Sequence, residues 1–350
     1  MFGNLLPSSQ DQAVYFRSLG AMFESGIQLP RALDLVSTQT ENAQLRRTSA
    51  SLCTAISSGK SISKAMAAHP LIFTDVQRRL VQAGESGGRL SLVLRRIADY
   101  EEQRTKLQQK VKSSLVTPVM VCFVCLAVAI ILPPLCLRSM LAMLKDSGVA
   151  LPWPTKVLMA VSALSSSIWF YLGLVFLAVG GWFAWRKAME NQEIRRSFWQ
   201  LLLSLPMLSD LLTMIGVIRF GQTFSSLLDS GHNLLAAVNL AAQSSGDPVL
   251  EANIPKAIER LKEGESLASS LAAAEYFPRS FLQSLKAGEE AGSPSQIVNS
   301  MLSMYNVDLD YRLTVFTNSL EPLFMLAIGA VVGFVSVAAL LPMLKLVETL

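Results

Sequence analysis

Three stretches of this chain carry no charged residue for longer than a helix needs to cross a bilayer. Residues 113–137 read SSLVTPVMVCFVCLAVAIILPPLCL, residues 322–344 read PLFMLAIGAVVGFVSVAALLPML, and residues 157–185 are equally free of charge. About 20 apolar residues suffice to span hydrocarbon, and buried helices of soluble proteins seldom stay uncharged for so long. Composition agrees: 51% of residues are hydrophobic and 16% charged, against about 25% charged in soluble domains. Three transmembrane helices are therefore expected, and a disordered chain is excluded.

The flanking cations predict the orientation. Arg104, Lys106, Lys110 and Lys112 precede the first span, and Arg186, Lys187, Arg195 and Arg196 follow the second. Between these spans lie only Arg138, Lys145 and Lys156, while Arg312 and Lys345 flank the third without deciding it. Lys and Arg concentrate on the cytoplasmic side. The expected order is a cytoplasmic domain at 1–112, spans at 113–137 and 157–185 joined by a periplasmic loop at 138–156, a cytoplasmic domain at 186–321, a span at 322–344, and a periplasmic tail at 345–350. The opening MFGNLLPSSQDQ has neither the basic residues nor the apolar core of a cleavable signal peptide.

The chain also contains itself twice. At an offset of 205, residues 15–26 (YFRSLGAMFESG) align with residues 220–231 (FGQTFSSLLDSG), and Leu29, Ala32 and Leu35 align with Leu234, Ala237 and Leu240. After a one-residue shift, Ala83-Gly84-Glu85 meets Ala287-Gly288-Glu289 and Pro118 meets Pro322; Tyr100 meets Tyr305 at the original offset. Matches that keep their order over a hundred residues indicate duplication. Each copy ends by entering the membrane from the same side, so 157–185 is the return crossing that lets the second copy repeat the first. This is a parallel repeat, unlike the inverted repeats of many transporters.

Both copies read as all-α bundles. Phe16, Leu19, Met22 and Phe23 form one apolar stripe at helical spacing. Gly26 and Gly231 stand where that stripe ends, as glycine does just past a helix C-terminus. Pro30 starts the next helix, 84–88 and 288–294 interrupt the pattern again, and Ser293-Pro294 reads as an N-cap followed by proline. From Arg89 to Thr117 there is neither Gly nor Pro, so the last helix of the first copy is expected to run on into the membrane at Pro118, with Pro322 its counterpart.

No motif carries chemistry convincingly. Gly59-Lys60-Ser61 has Thr at 54 where a phosphate-binding loop needs Gly, and it follows a helical pattern rather than a strand. Gly84-Glu85-Ser86-Gly87-Gly88 matches the form of a nucleophile elbow, but the second copy, Gly288-Glu289-Glu290-Ala291-Gly292, lacks the serine. His69 and His232 have no ligand-spaced neighbours and read as surface or turn residues; the four cysteines imply no disulfide framework. The spans hold no Asp, Glu, Lys, Arg or His, although pumps and carriers place such residues mid-membrane. No catalytic residue, cofactor, metal or nucleic acid is expected. The remaining candidates are the corners Gly84-Glu85, Gly288-Glu289, Gly26 and Gly231, read either as structural breaks or as interaction or hinge points, and the membrane-entry prolines Pro118 and Pro322. Charge separates the copies: residues 1–112 carry 15 Lys+Arg against 9 Asp+Glu, and residues 188–321 carry 9 against 15. Opposite sign on one side of the membrane reads either as two solvated faces, the basic one also drawn to the anionic inner leaflet, or as domains that select different partners or pair first to second.

This ordered set resembles the inner-membrane platform proteins of type II secretion and type IV pilus machines, the GspF/PilC family. The features that carry it are the tandem domains with Ser-Gly corners and Ala-Gly-Glu segments, the stretch 205–212 (LPMLSDLL), and Glu321-Pro322 entering the last span. The chain is similar to the shorter members, without an N-terminal extension. The resemblance implies a non-enzymatic, multi-pass scaffold of the bacterial inner membrane, in contact with lipid. Its implied partners are a hexameric assembly ATPase, pilin or pseudopilin subunits, other inner-membrane assembly proteins and further copies of itself. A permease or transporter subunit is the alternative; an assembly ATPase and prepilins encoded nearby would favour the platform, an ATP-binding-cassette partner the transporter.

Overall fold

A computed structural model describes residues 6–145 and 206–348, with scattered residues between 153 and 199. No strand occurs among the described residues. The first repeat is built from α1 (Ser9–Glu24), α2 (Leu29–Gln39), α3 (Ala43–Ser57), α4 (Ile62–Ala67), α5 (Asp75–Ser86) and α6 (Leu90–Lys145). The second follows the same order with α7 (Pro206–Asp229), α8 (Leu234–Ser245), α9 (Pro248–Lys262), α10 (Leu267–Ala272), α11 (Arg279–Glu290) and α12 (Pro294–Glu348).

Local chemistry sets the helix ends. Ser8 and Asp11 form a capping box on α1, Thr74 and Gln77 one on α5, and Asn42 and Asp247 cap α3 and α9, each satisfying amides that the first helical turn leaves unpaired. The Ser-Gly corners close α1 and α7 in the same way. The Gly26 amide donates to the Phe23 carbonyl (3.1 Å) and the Ile27 amide to Met22 (3.1 Å); Gly231 and His232 repeat this on Leu228 and Leu227 at 2.9 and 3.1 Å. Both glycines have φ of +85°, left-handed backbone that costs other residues about 1–2 kcal/mol.

Each bundle buries an aromatic and aliphatic core. In the first, Phe16 meets Tyr15 and Phe73 edge-on, over Leu19, Leu33, Leu45, Leu80 and Leu94. In the second, Phe220 is ringed by Phe224, Phe277 and Phe281 at centroid distances of 5.6, 4.8 and 6.4 Å. Fully burying such a side chain contributes roughly 1.5–3 kcal/mol. α7 is long and apolar enough to cross a membrane, yet most of it is buried; it is the core helix of the second bundle. The 294–338 part of α12 passes the same test: its most apolar 18-residue stretch is almost entirely unburied, whereas Val298, Leu302, Leu309 and Leu313 nearer its start are buried.

Several expectations lie differently in three dimensions. Gly84-Glu85 and Gly288-Glu289 do not break the helix: they sit inside α5 and α11, which end at Ser86 and Glu290. The chain turns only at Gly88 and Gly292, where φ is +65° and +67°. Residues 138–145 of the expected loop continue α6, residues 146–152 lie outside the described set, and so do most of the span 157–185 and residues 186–205. The long helices α6 and α12 do run on through Pro118 and Pro322, as the sequence leads one to expect. Proline at 118 removes the amide that would bond the Ser114 carbonyl; the Thr317 hydroxyl lies 3.4 Å from that carbonyl.

The chain divides into two compact units. One holds Met1–Lys110 with Arg196–Tyr311, and the other Val111–Arg195 with Arg312–Leu350. Both repeats belong to the first unit as far as Lys110 and Tyr311, where the long helices α6 and α12 continue into the second.

Candidate functional site: the corners and the face between the repeats

The duplicated Ala-Gly-Glu segment does the same work twice. Glu85 reaches from the last turn of α5 to the start of α4, accepting from the Ile62 amide (Oε1, 2.9 Å), the Ser63 amide (Oε2, 3.4 Å) and the Ser63 hydroxyl (Oε2, 2.5 Å). Glu289 accepts from the Leu267 and Ala268 amides at the start of α10, at 2.8 and 3.4 Å. A carboxylate there satisfies unpaired amides and complements the helix dipole. The preceding glycine serves the other side of the joint. A Cβ on Gly84 would lie 2.7 Å from Val93 Cγ2, and one on Gly288 3.0 Å from Ile297 Cβ. Each corner thus pins three consecutive helices: glutamate fastens the short one, and glycine admits the long one.

The repeats meet through unlike faces. Repeat 1 presents α5 and α6; repeat 2 presents chiefly α7 and α8. At the centre Tyr100, 6% exposed, accepts from the Thr223 hydroxyl at 3.3 Å, and Ser244 donates to Thr223 at 2.7 Å. Burial raises the Tyr100 pKa. Arg96 donates to the Asp229 carbonyl beside the Gly231 corner. Lys110 donates to the Asn306 carbonyl (2.8 Å) and pairs with Asp310 (2.5 Å), while burial lowers its pKa. A polar cavity of about 450 Å³ remains between Arg96, Asp99, Tyr100, Ser226, Asp229 and Asn299. His232 is not a plain surface residue: it is half-buried beside the Arg79 main chain of repeat 1, and burial lowers its pKa.

Of the anticipated positions, the Gly231 corner lies at this contact, while Gly26 is exposed on the first repeat. The Glu85 and Glu289 joints belong each to its own bundle.

Sequence reasoning missed the buried polar pins. In repeat 1, Gln12 donates to the Ile72 carbonyl (2.6 Å), and Gln77 donates to Gln12 (2.5 Å) and to Glu101 Oε1 (2.7 Å). Glu101 is fully buried; desolvation pushes its carboxyl up, partly opposed by Arg104, 3.7 Å from Oε2. In repeat 2 the pin is different. Asp247 accepts from the Tyr276 hydroxyl at 2.7 Å, and a Cβ on Gly216 would meet that hydroxyl at 2.0 Å. Burial, then Asp247, raises the Tyr276 pKa. Polar Gln12 and Gln77 within otherwise apolar helical stripes were the available signal.

Among the described residues no group of three or more His, Cys, Asp or Glu side chains converges to hold a metal.

Comparison with known proteins agrees with the duplication. The family described as type II secretion system (T2SS), protein F matches residues 15–132 and again 220–342. A type IV pilus assembly protein PilC from Thermus thermophilus is 31% identical over 345 residues, covering 98% of this chain and 84% of that protein. PilC of Myxococcus xanthus is 28% identical, covering 96% and 80%. A type II secretion system protein F from Aeromonas hydrophila is 29% identical, covering 97% and 87%.

Proposed function

The chain belongs to the type II secretion system protein F family, and from that premise we propose that it is the inner-membrane platform of a type IV pilus or type II secretion machine. In this reading it is a non-enzymatic, multi-pass scaffold. A hexameric cytoplasmic ATPase drives the paired bundles of residues 1–112 and 186–321, and the spans 113–137, 157–185 and 322–344 hand pilin or pseudopilin subunits from the bilayer to a growing filament. Both termini follow from the cation tally, the N-terminus inside and the C-terminus outside.

The observation that carries this is the double family match laid over two structurally equivalent bundles, in relatives named for both kinds of machine. The architecture supports it. Corners pinned at Glu85 and Glu289 make each bundle stiff, and a stiff body transmits an applied push. The test is affinity purification of the full chain from its native membranes. Recovery of an assembly ATPase with prepilin-like subunits is expected; recovery of an ATP-binding-cassette protein instead would replace the platform with a transporter subunit.

A further inference from the structure

A second cavity, of about 360 Å³, lies between the repeats. Val76, Tyr100 and Arg104 of repeat 1 line it against Leu240, Gln243 and Gly246 of repeat 2. Arg219 of α7 reaches its edge: Nη1 lies 3.5 Å from the place that a Cβ on Gly246 would take. Small-molecule sites occupy roughly 300–1,000 Å³, so the space is large enough for a ligand.

Two guanidinium groups from different repeats meet here, and neither is well neutralised. Arg219 is half-buried and makes one hydrogen bond, from Nη1 to the Ser245 carbonyl at 3.2 Å, with no ion pair among the described residues. Burial, then the charge of Arg104, lowers its pKa, as expected for a cation that faces another. Arg104 stands 3.7 Å from Glu101 Oε2, beyond hydrogen-bond reach, and burial pushes that carboxyl toward its neutral form. Nearby anions are committed elsewhere. Asp247 accepts from the Val249 and Leu250 amides and from the Tyr276 hydroxyl, and Asp75, at the cavity wall, pairs with Arg78. The start of α5 at the same wall is closed by its own capping box, so the pull on an anion comes from the arginines.

The rest of the wall is two-sided. Tyr100 accepts from Thr223 and keeps its own phenolic proton to donate, and Gln243 exposes a carboxamide. Val76 and Leu240 supply an apolar patch. Guanidinium forks match carboxylate and phosphate alike. A phosphate, with three oxygens, can engage two guanidinium groups and a hydroxyl at once, whereas a carboxylate has only two oxygens to offer. Arg104 precedes the proposed span at Ser113 by nine residues, or about 14 Å of helix, farther than the roughly 5–8 Å depth of a headgroup layer. A soluble ligand therefore fits better than a lipid.

We propose that this cavity binds a small soluble phosphate-bearing molecule of the nucleotide class, its phosphate held between Arg104 and Arg219 and its apolar part against Val76 and Leu240. Because the arginines belong to different repeats, such a ligand fastens one bundle to the other. The site goes beyond the scaffold reading and does not depend on it.

The test is titration calorimetry of the full chain in maltoside micelles, in phosphate-free buffer at fixed ionic strength. The probes are AMP and inorganic phosphate, with adenosine as the uncharged control. Saturable binding of AMP is expected, with phosphate competing and adenosine weaker by about tenfold or more, the loss that goes with one charge-assisted hydrogen bond. Arg104→Gln and Arg219→Gln are each expected to weaken AMP by a similar factor, while Arg31→Gln, on the exposed side of α2, leaves it unchanged. Arg219 also holds the Ser245 carbonyl, so Gln243→Glu serves as the variant that leaves the packing alone: it sets a like charge in the cavity and is expected to weaken AMP as well. Absence of saturable binding by either probe would overturn the proposal, as would adenosine binding equal to that of AMP. So would AMP binding that survives both Arg104→Gln and Gln243→Glu, or displacement of AMP by phosphatidylglycerol added to the micelles, which would make the ligand a lipid headgroup.

Discussion

The Glu85 carboxylate sits 2.9 Å from the Ile62 amide, tying the end of α5 to the start of α4, and Glu289 stands 2.8 Å from Leu267 in the second repeat. Twenty-odd residues separate the partners in each pair, and duplication has kept both. A replicated bond of this kind belongs to the frame of the bundle. Glu85→Ala and Glu289→Ala are therefore each expected to destabilise the protein by about 1–2 kcal/mol, the usual cost of losing a helix cap. Glu85→Gln, which keeps an acceptor, loses less. Thermal unfolding of the purified chain, followed by helical circular dichroism, measures this; an unchanged transition in both alanine variants would refute the capping role.

Gly84→Ala places a methyl 2.7 Å from Val93 Cγ2. Overpacking of that kind costs about 1–3 kcal/mol. The same stability measurement checks it, with Val93→Ala as the second change: the double variant recovers part of the loss if steric contact is the cause. Losses that simply add would show that Gly84 matters for another reason.

Glu101 predicts a pH dependence. Burial raises its pKa in the folded state, so over the window from the unfolded carboxyl pKa up to the folded one the native state holds more proton than the unfolded chain. Stability contributed by this group is present at acid pH and declines as pH rises through that window. Glu101→Gln removes the decline while keeping the acceptor for Gln77. Stability of wild type and variant compared across a pH series should show the variant gaining relative to wild type toward neutral pH; parallel profiles would contradict the assignment.

The cation tally predicts topology. A reporter active only outside the cytoplasm is expected to be active when fused at Ser147 or after Leu350 and silent at Arg196. Activity at Arg196 would reverse the proposed orientation of the cytoplasmic mass.

The duplication, the all-α class and the helix ends were legible in the sequence because their causes are local. Phe16, Leu19 and Phe23 are spaced by the period of a single helix. Gly26 and Gly231 answer a backbone angle at their own positions. The retained Ala-Gly-Glu segments were visible as well, but were read as breaks or as interaction or hinge points because glycine usually interrupts a helix; the tight contact with Val93 and Ile297 was invisible in one dimension.

Tertiary structure decided who meets whom. Tyr100 and Thr223 are 123 residues apart, Gln12 and Gln77 65 apart, and no periodicity connects them. A stripe on a helix states that a face must be buried and leaves open which element covers it. The same ancestral bundle therefore pins itself with Gln12, Gln77 and Glu101 in one copy and with Asp247 and Tyr276 in the other. The repeats also join through unlike faces because, once two equivalent bodies pack, shape and charge across the contact choose the pairing, and those exist only after each chain segment has folded.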